Sequence, residues 1–157
     1  MRKLLIILAA IAFFTTSAFA GTTDTQTVYY EIDAINELSM DADATLTVDS
    51  ATAGSEPDFS VIDTFSYSIT TNETAKKITA ALNANMPAST SLHIVLIEPT
   101  GGSSPGYLAL STTAQNVVTS IETVAETENY AIRFYSNVAA GLPADSSRVI
   151  TFTLCDE

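Results

Sequence analysis

Short runs in which apolar and polar residues alternate, separated by turn-forming residues, constrain this chain more than any other feature. Phe65, Tyr67 and Ile69 fall on one side of an extended segment, as do Ile78, Ala80 and Leu82, then Leu92, Ile94 and Leu96, and finally Tyr130, Ile132 and Phe134. A period of two marks a strand with one buried face. The runs are rich in Thr, Val, Ile and Tyr and are bounded by Gly, Pro, Asn, Ser and Asp. Strands are expected near 27–35, 44–48, 64–71, 77–82, 91–97, 106–111, 117–121, 130–138 and 148–154. Closely spaced strands without a long amphipathic helix between them predict an all-β fold, an immunoglobulin-like antiparallel β-sandwich with the four triplets as its core. One segment reads two ways: Ala114, Val117, Val118, Ile121, Val124 and Ala125 also fit a helical stripe.

The first 20 residues read as a removable export signal. Arg2 and Lys3 give a positive start, Leu4 to Phe14 is an apolar run shorter than the roughly 20 residues of a membrane span, and Ala18-Phe19-Ala20 is a small-x-small cleavage site. The mature chain is expected to begin at Gly21 and to form one domain over 21–157, exported through the periplasm to the cell surface or beyond.

Cleavage leaves Lys76, Lys77, Arg133 and Arg148 against eighteen acidic residues, a net charge of −14. That field opposes binding to nucleic acid or to an anionic membrane. Cys155 is the single cysteine, so no disulfide can form within the subunit and the fold must be held by its core and its ladders. It alternates away from Ile150, Phe152 and Leu154, which places it outward or at an edge.

A search for chemistry returns no catalytic, cofactor-binding or metal-binding set, and the expected role is not enzymatic. His93, the one histidine, sits between Leu92 and Ile94 in a strand and has no local Ser/His/Asp signature around it. Asp41-Ala42-Asp43 lacks the Gly and the terminal Glu of a calcium loop. Gly101-Gly102-Ser103-Ser104 has no Lys at phosphate-binding spacing and reads as a turn. Asn72-Glu73-Thr74 has the form of a glycosylation acceptor and also reads as a hairpin turn. Tyr29, Tyr107 and Tyr135 could stack on sugar rings, although the sequence shows no aromatic platform.

The two ends of the mature chain form a suggestive pair. Val28, Tyr30, Ile32 and Ala34 share one face of the first expected strand. Ile150, Phe152 and Leu154 alternate in a last strand that nothing follows with which to close the sandwich. An incomplete sandwich exposes an apolar groove and unpaired backbone groups beside that strand. A strand donated by a neighbour would satisfy both, and burying Val28, Tyr30 and Ile32 would contribute roughly 1.5–3 kcal/mol each before ordering costs.

The run Thr71-Asn72-Glu73-Thr74-Ala75-Lys76-Lys77-Ile78, together with the alternating first strand and the apolar last strand, resembles the major subunits of colonisation-factor fimbriae of the alternate chaperone–usher class. Ser111-Thr112-Thr113-Ala114 is similar to a stretch of the same pilins. The resemblance implies a sandwich lacking its last strand, a periplasmic chaperone that caps the groove, and an outer-membrane usher that assembles subunits by donor-strand exchange. It implies Val28, Tyr30, Ile32 and Ala34 as donor residues, and Ile150, Phe152 and Leu154 as lining the acceptor groove or meeting the chaperone. Lys76 and Lys77 match the family's basic pair, whereas Cys155 and the polar tail depart from its pattern. The expectation is a structural subunit of a bacterial surface fibre with a role in adhesion, its partners copies of itself and a host glycan or protein. The alternative is a self-contained secreted sandwich that binds carbohydrate or protein.

Overall fold

The computed structural model describes residues 21–41, 43–141 and 146–157, with the side chains of 61–64 outside that description. The expected export signal therefore lies outside the described residues. Among the described residues no helix is long and apolar enough to cross a membrane. The chain divides at Ile32, and the unit from Asp33 to Glu157 holds all the regular structure described.

That unit is an antiparallel β-sandwich. Its strands are β1 (Asn36–Met40), β2 (Ser60–Thr71), β3 (Lys76–Leu82), β4 (Thr90–Leu96), β5 (Leu108–Ala109), β6 (Gln115–Ile121), β7 (Val124–Ser136) and β8 (Ile150–Asp156). They form one sheet in the order β1-β2-β7-β4-β5 and another in the order β6-β3-β8. A single 3-10 turn, Val138–Ala140, is the described helical structure. The alternating triplets supply the core: Tyr67, Ile69, Ile78, Ala80, Leu82, Leu92, Ile94, Leu96, Tyr130 and Ile132 are buried, with Phe65 and Phe134 packed against them at the margin.

The ambiguous segment is strand. A two-residue turn at 122–123 separates β6 from β7, and the helical stripe arose because Val117 and Val118 both point inward. Consecutive inward residues require an irregular ladder, and the β3–β6 register shifts on either side of Ile78.

Two expected strands are absent from the described chain. Residues 44–48 carry the alternation but make no ladder, and their Leu46 and Val48 are half-buried beside β1 and β7 as coil. Residues 27–35 likewise form no strand, and Val28, Tyr30 and Ile32 are 69, 91 and 79% exposed, with Ala34 also exposed. The cause is the same in both cases. Alternation fixes which side of a segment is apolar, but a strand also needs a neighbour for its backbone groups.

The 71–78 run is a structural turn with a defined role for each polar residue. Asn72 accepts from the Ile35 N–H at 2.8 Å and donates to the Asp33 carbonyl at 2.8 Å, so its side-chain amide imitates a ladder partner for the segment before β1. Thr71, 3% exposed, donates to Asn36 and accepts from the Glu73 N–H. Lys76 buries its stem and places its ammonium between Glu73, at 2.6 Å, and Asp156 of β8. The Asn72 amide is thus committed to the backbone of 33–35, which accounts for Asn72-Glu73-Thr74 as a turn.

Candidate functional site

The sheet that holds β8 is narrower than its partner by two strands, about 10 Å at ordinary strand spacing. β8 pairs with β3 along its whole length, from Lys76 opposite Asp156 to Leu82 opposite Ile150. Among the described residues its other edge has no ladder partner. A cleft of about 1450 Å³ opens there, lined by residues of β8, the inner face of β7 and the coil at 43–51. Its apolar lining includes Met40, Leu46, Met86, Phe134, Ile150 and Phe152.

The alternation of β8 explains the lining. Ile150, Phe152 and Leu154 turn toward the core and stay half-buried, whereas Thr151 and Thr153 face solvent. Phe152 meets Tyr130 with ring centroids 6.2 Å apart, and Tyr130 stacks on Phe65 at 5.3 Å. Ile150 and Phe152 line the cleft, while Leu154 packs against the core farther along the strand. The structure therefore brings two of the three expected acceptor residues to one opening. Cys155 lies on this edge strand opposite Lys77, half-buried and unbridged.

The cleft's electrostatics are acidic on one side. Burial pushes the Tyr130 phenol above its ordinary pKa, and the nearby carboxylates of Asp41 and Asp43 add to that shift. Burial raises the Tyr67 phenol as well, and its hydroxyl donates to the Ile97 carbonyl at 2.6 Å, tying β2 to the end of β4. These are structural phenols that donate or pack; neither is poised to lose a proton.

The other sequence candidates fall as follows. The Gly101-Gly102 segment is a turn closed by the Gly102 N–H on the Pro99 carbonyl at 2.8 Å, and Glu126 accepts from the Thr100 N–H at 2.8 Å. That contact holds the Glu126 carboxyl below its ordinary pKa. Among the described residues no group of three His, Cys, Asp or Glu side chains is placed to hold a metal ion. His93 lies on the outer face of β4 beside Tyr135, with Ser91 3.2 Å from its Nε2. Tyr107 and Tyr135, distant in sequence, come into one outer-face cluster with Phe59 and Arg133, which sequence reasoning did not anticipate. Tyr29 is 92% exposed in the N-terminal unit. No family model matches this chain, and no curated protein sequence is significantly similar to it.

Proposed function

We propose that this protein is a non-catalytic structural subunit that polymerises by strand donation into a bacterial surface fibre with a role in adhesion. One observation carries the reading: among the described residues a cleft with apolar lining lies beside a strand edge without a ladder partner, while the alternating segment 27–35 forms no strand and exposes its apolar face. The two match in length. Residues 28–34 and β8 each number seven, about 23 Å when extended. A donor laid along β8 would pair its backbone with the free edge and turn Val28, Tyr30 and Ile32 toward Ile150 and Phe152. The joint would gain apolar burial and ladder hydrogen bonds together, which favours slow dissociation.

Exposed edges of this kind aggregate unless covered, so the reading includes a periplasmic chaperone that holds the cleft before assembly and an usher that orders the exchange. The test is a denaturing gel of protein sheared from cells, with and without boiling and reductant. Wild type is expected to give a ladder that withstands detergent and reductant and collapses on boiling. Ile32→Asp is expected to run as a monomer that stays folded, with an unfolding temperature below that of the donor-completed wild-type fibre. A monomer band for wild type in every lane, with an Ile32→Asp chain that unfolds below that wild-type monomer, would instead favour the self-contained module.

A further inference from the structure

The outer face of the five-stranded sheet carries a cluster that the cleft does not use. Arg133 and Tyr135 project from β7 away from the core and His93 from β4, while Phe59 and Tyr107 close in from the residues just before β2 and β5. The Arg133 guanidinium carbon is 3.7 Å from the Tyr107 ring centroid and 5.1 Å from that of Phe59. Phe59 meets Tyr135 at 5.0 Å, and His93 meets Tyr135 at 4.6 Å. Phe59 and Tyr107 are 43 and 38% exposed. Elsewhere this face carries mostly small or polar residues, such as Ser68, Thr70, Ala125, Thr127 and Asn129. A contiguous shelf of rings built around a cation is a departure from that pattern.

The chemistry of the shelf is specific. Ring stacking uses the flat faces of a guanidinium and leaves its edge, with its in-plane N–H groups, for a planar anion. Among the described residues no carboxylate lies within ion-pair distance of Arg133, and its Nε–H is buried without a hydrogen-bond partner. Residues 21–157 have four bases and a net charge of −14, so a pre-oriented cation with no ion-pair partner among the described residues is rare in this molecule. Beside it, Ser91 and His93 offer hydroxyl and imidazole groups. Burial, and then the Arg133 charge, hold the His93 imidazole below its ordinary pKa. The ring is therefore neutral at pH 7 and has one donor and one acceptor nitrogen.

We propose that this shelf binds an acidic saccharide, taking the carboxylate of a uronic- or sialic-acid residue on the Arg133 edge and the apolar face of its pyranose on Tyr107 or Phe59. The sugar hydroxyls then meet Ser91 and His93. An aromatic shelf alone would suit a neutral sugar equally well; the guanidinium, with no ion-pair partner among the described residues, selects the acid. The site lies on the outer face of its sheet, and the cleft opens on the inner face, so it is available whether or not the chain polymerises.

Saturation-transfer NMR on the full chain, expressed with its leader and purified, tests this in either assembly state. The probes are sialyllactose and a hyaluronan tetrasaccharide, with lactose as the neutral control. Saturation is expected on pyranose protons of the two acidic probes and not on lactose. Arg133→Gln is expected to weaken binding by about tenfold to a hundredfold, the range for losing one charge-assisted contact. Arg133→Lys keeps the charge but loses the planar stack, and is expected to bind less tightly with the same preference for acid; it keeps the test readable should Arg133→Gln fold poorly. Equal transfer to lactose and sialyllactose, no transfer to either acidic probe, or unchanged affinity in both Arg133 variants would overturn the assignment. None of those results bears on the gel ladder.

Discussion

Two side chains show how single residues set this protein's response to pH. Lys76 holds Glu73 and Asp156 below their ordinary carboxylate pKa values, first through hydrogen bonds, and both partners in turn raise the Lys76 ammonium. Depressed carboxyl values mean that this clamp contributes above the unfolded carboxylate range and is lost as pH falls through the folded values. The raised ammonium contributes below the unfolded Lys value and is lost only in strong alkali. His93 acts in between. Its folded pKa lies below 6.5 because burial, and then Arg133, disfavour the imidazolium. The unfolded chain therefore binds the proton more readily, and stability that is full above about pH 6.5 falls as acid approaches the folded value. Because His93 is the only histidine, His93→Gln removes this step alone. Urea midpoints at pH 7.5 and 5.5 are expected to drop more for wild type than for His93→Gln. Parallel responses would mean that His93 titrates alike in both states.

At the scale of single elements, the sequence disclosed faces better than partners. β2, β3, β4 and β7 are legible because each alternates and each finds a neighbour. The segments 44–48 and 27–35 alternate equally well and have no ladder, since no local pattern says whether a backbone partner exists. β6 is a strand, as expected at 117–121, but its pattern also admitted a helix. Its bulge puts Val117 and Val118 on the same side, a local departure that imitates helical spacing. The aromatic shelf was illegible for a further reason, because Phe59, Tyr107 and Arg133 meet only through strand order. Turn chemistry gives an element-scale prediction. Ala75, exposed in the turn from β2 to β3, has φ 55, a left-handed conformation that costs an L-residue roughly 1–2 kcal/mol. Glycine adopts it freely, at some cost in unfolded-state entropy. Ala75→Gly removes no buried contact and is expected to stabilise by up to about 1 kcal/mol in urea titration. A loss of stability would show that the Ala75 carbonyl, which accepts from the Glu157 N–H at 3.0 Å, depends on the methyl group for its placement.

For the whole molecule, the physical question is what covers the surface beside β8. A five-stranded sheet faces a three-stranded one, and the coil at 43–51 lines the cleft without joining either sheet among the described residues. Coil contributes side-chain contact, but among the described residues it gives the β8 edge no ladder partner. A true strand would supply contact and ladder together. This distinction can be measured without building a fibre. The compact unit begins at Asp33, so a chain starting there retains every described strand. Supplying residues 24–35 as a free peptide then reproduces donation in trans. A ligand that binds only the folded state at a hundred times its Kd stabilises by about 2.7 kcal/mol, or several degrees in a domain of this size. The wild-type peptide is expected to raise the Tm in a concentration-dependent way, and a peptide carrying Ile32→Asp is expected not to, because the carboxylate would be buried against Ile150 and Phe152. If neither peptide moves the Tm while Phe152→Ala still lowers it, β8 is supported by its own core contacts alone and the cleft takes an occupant other than this segment.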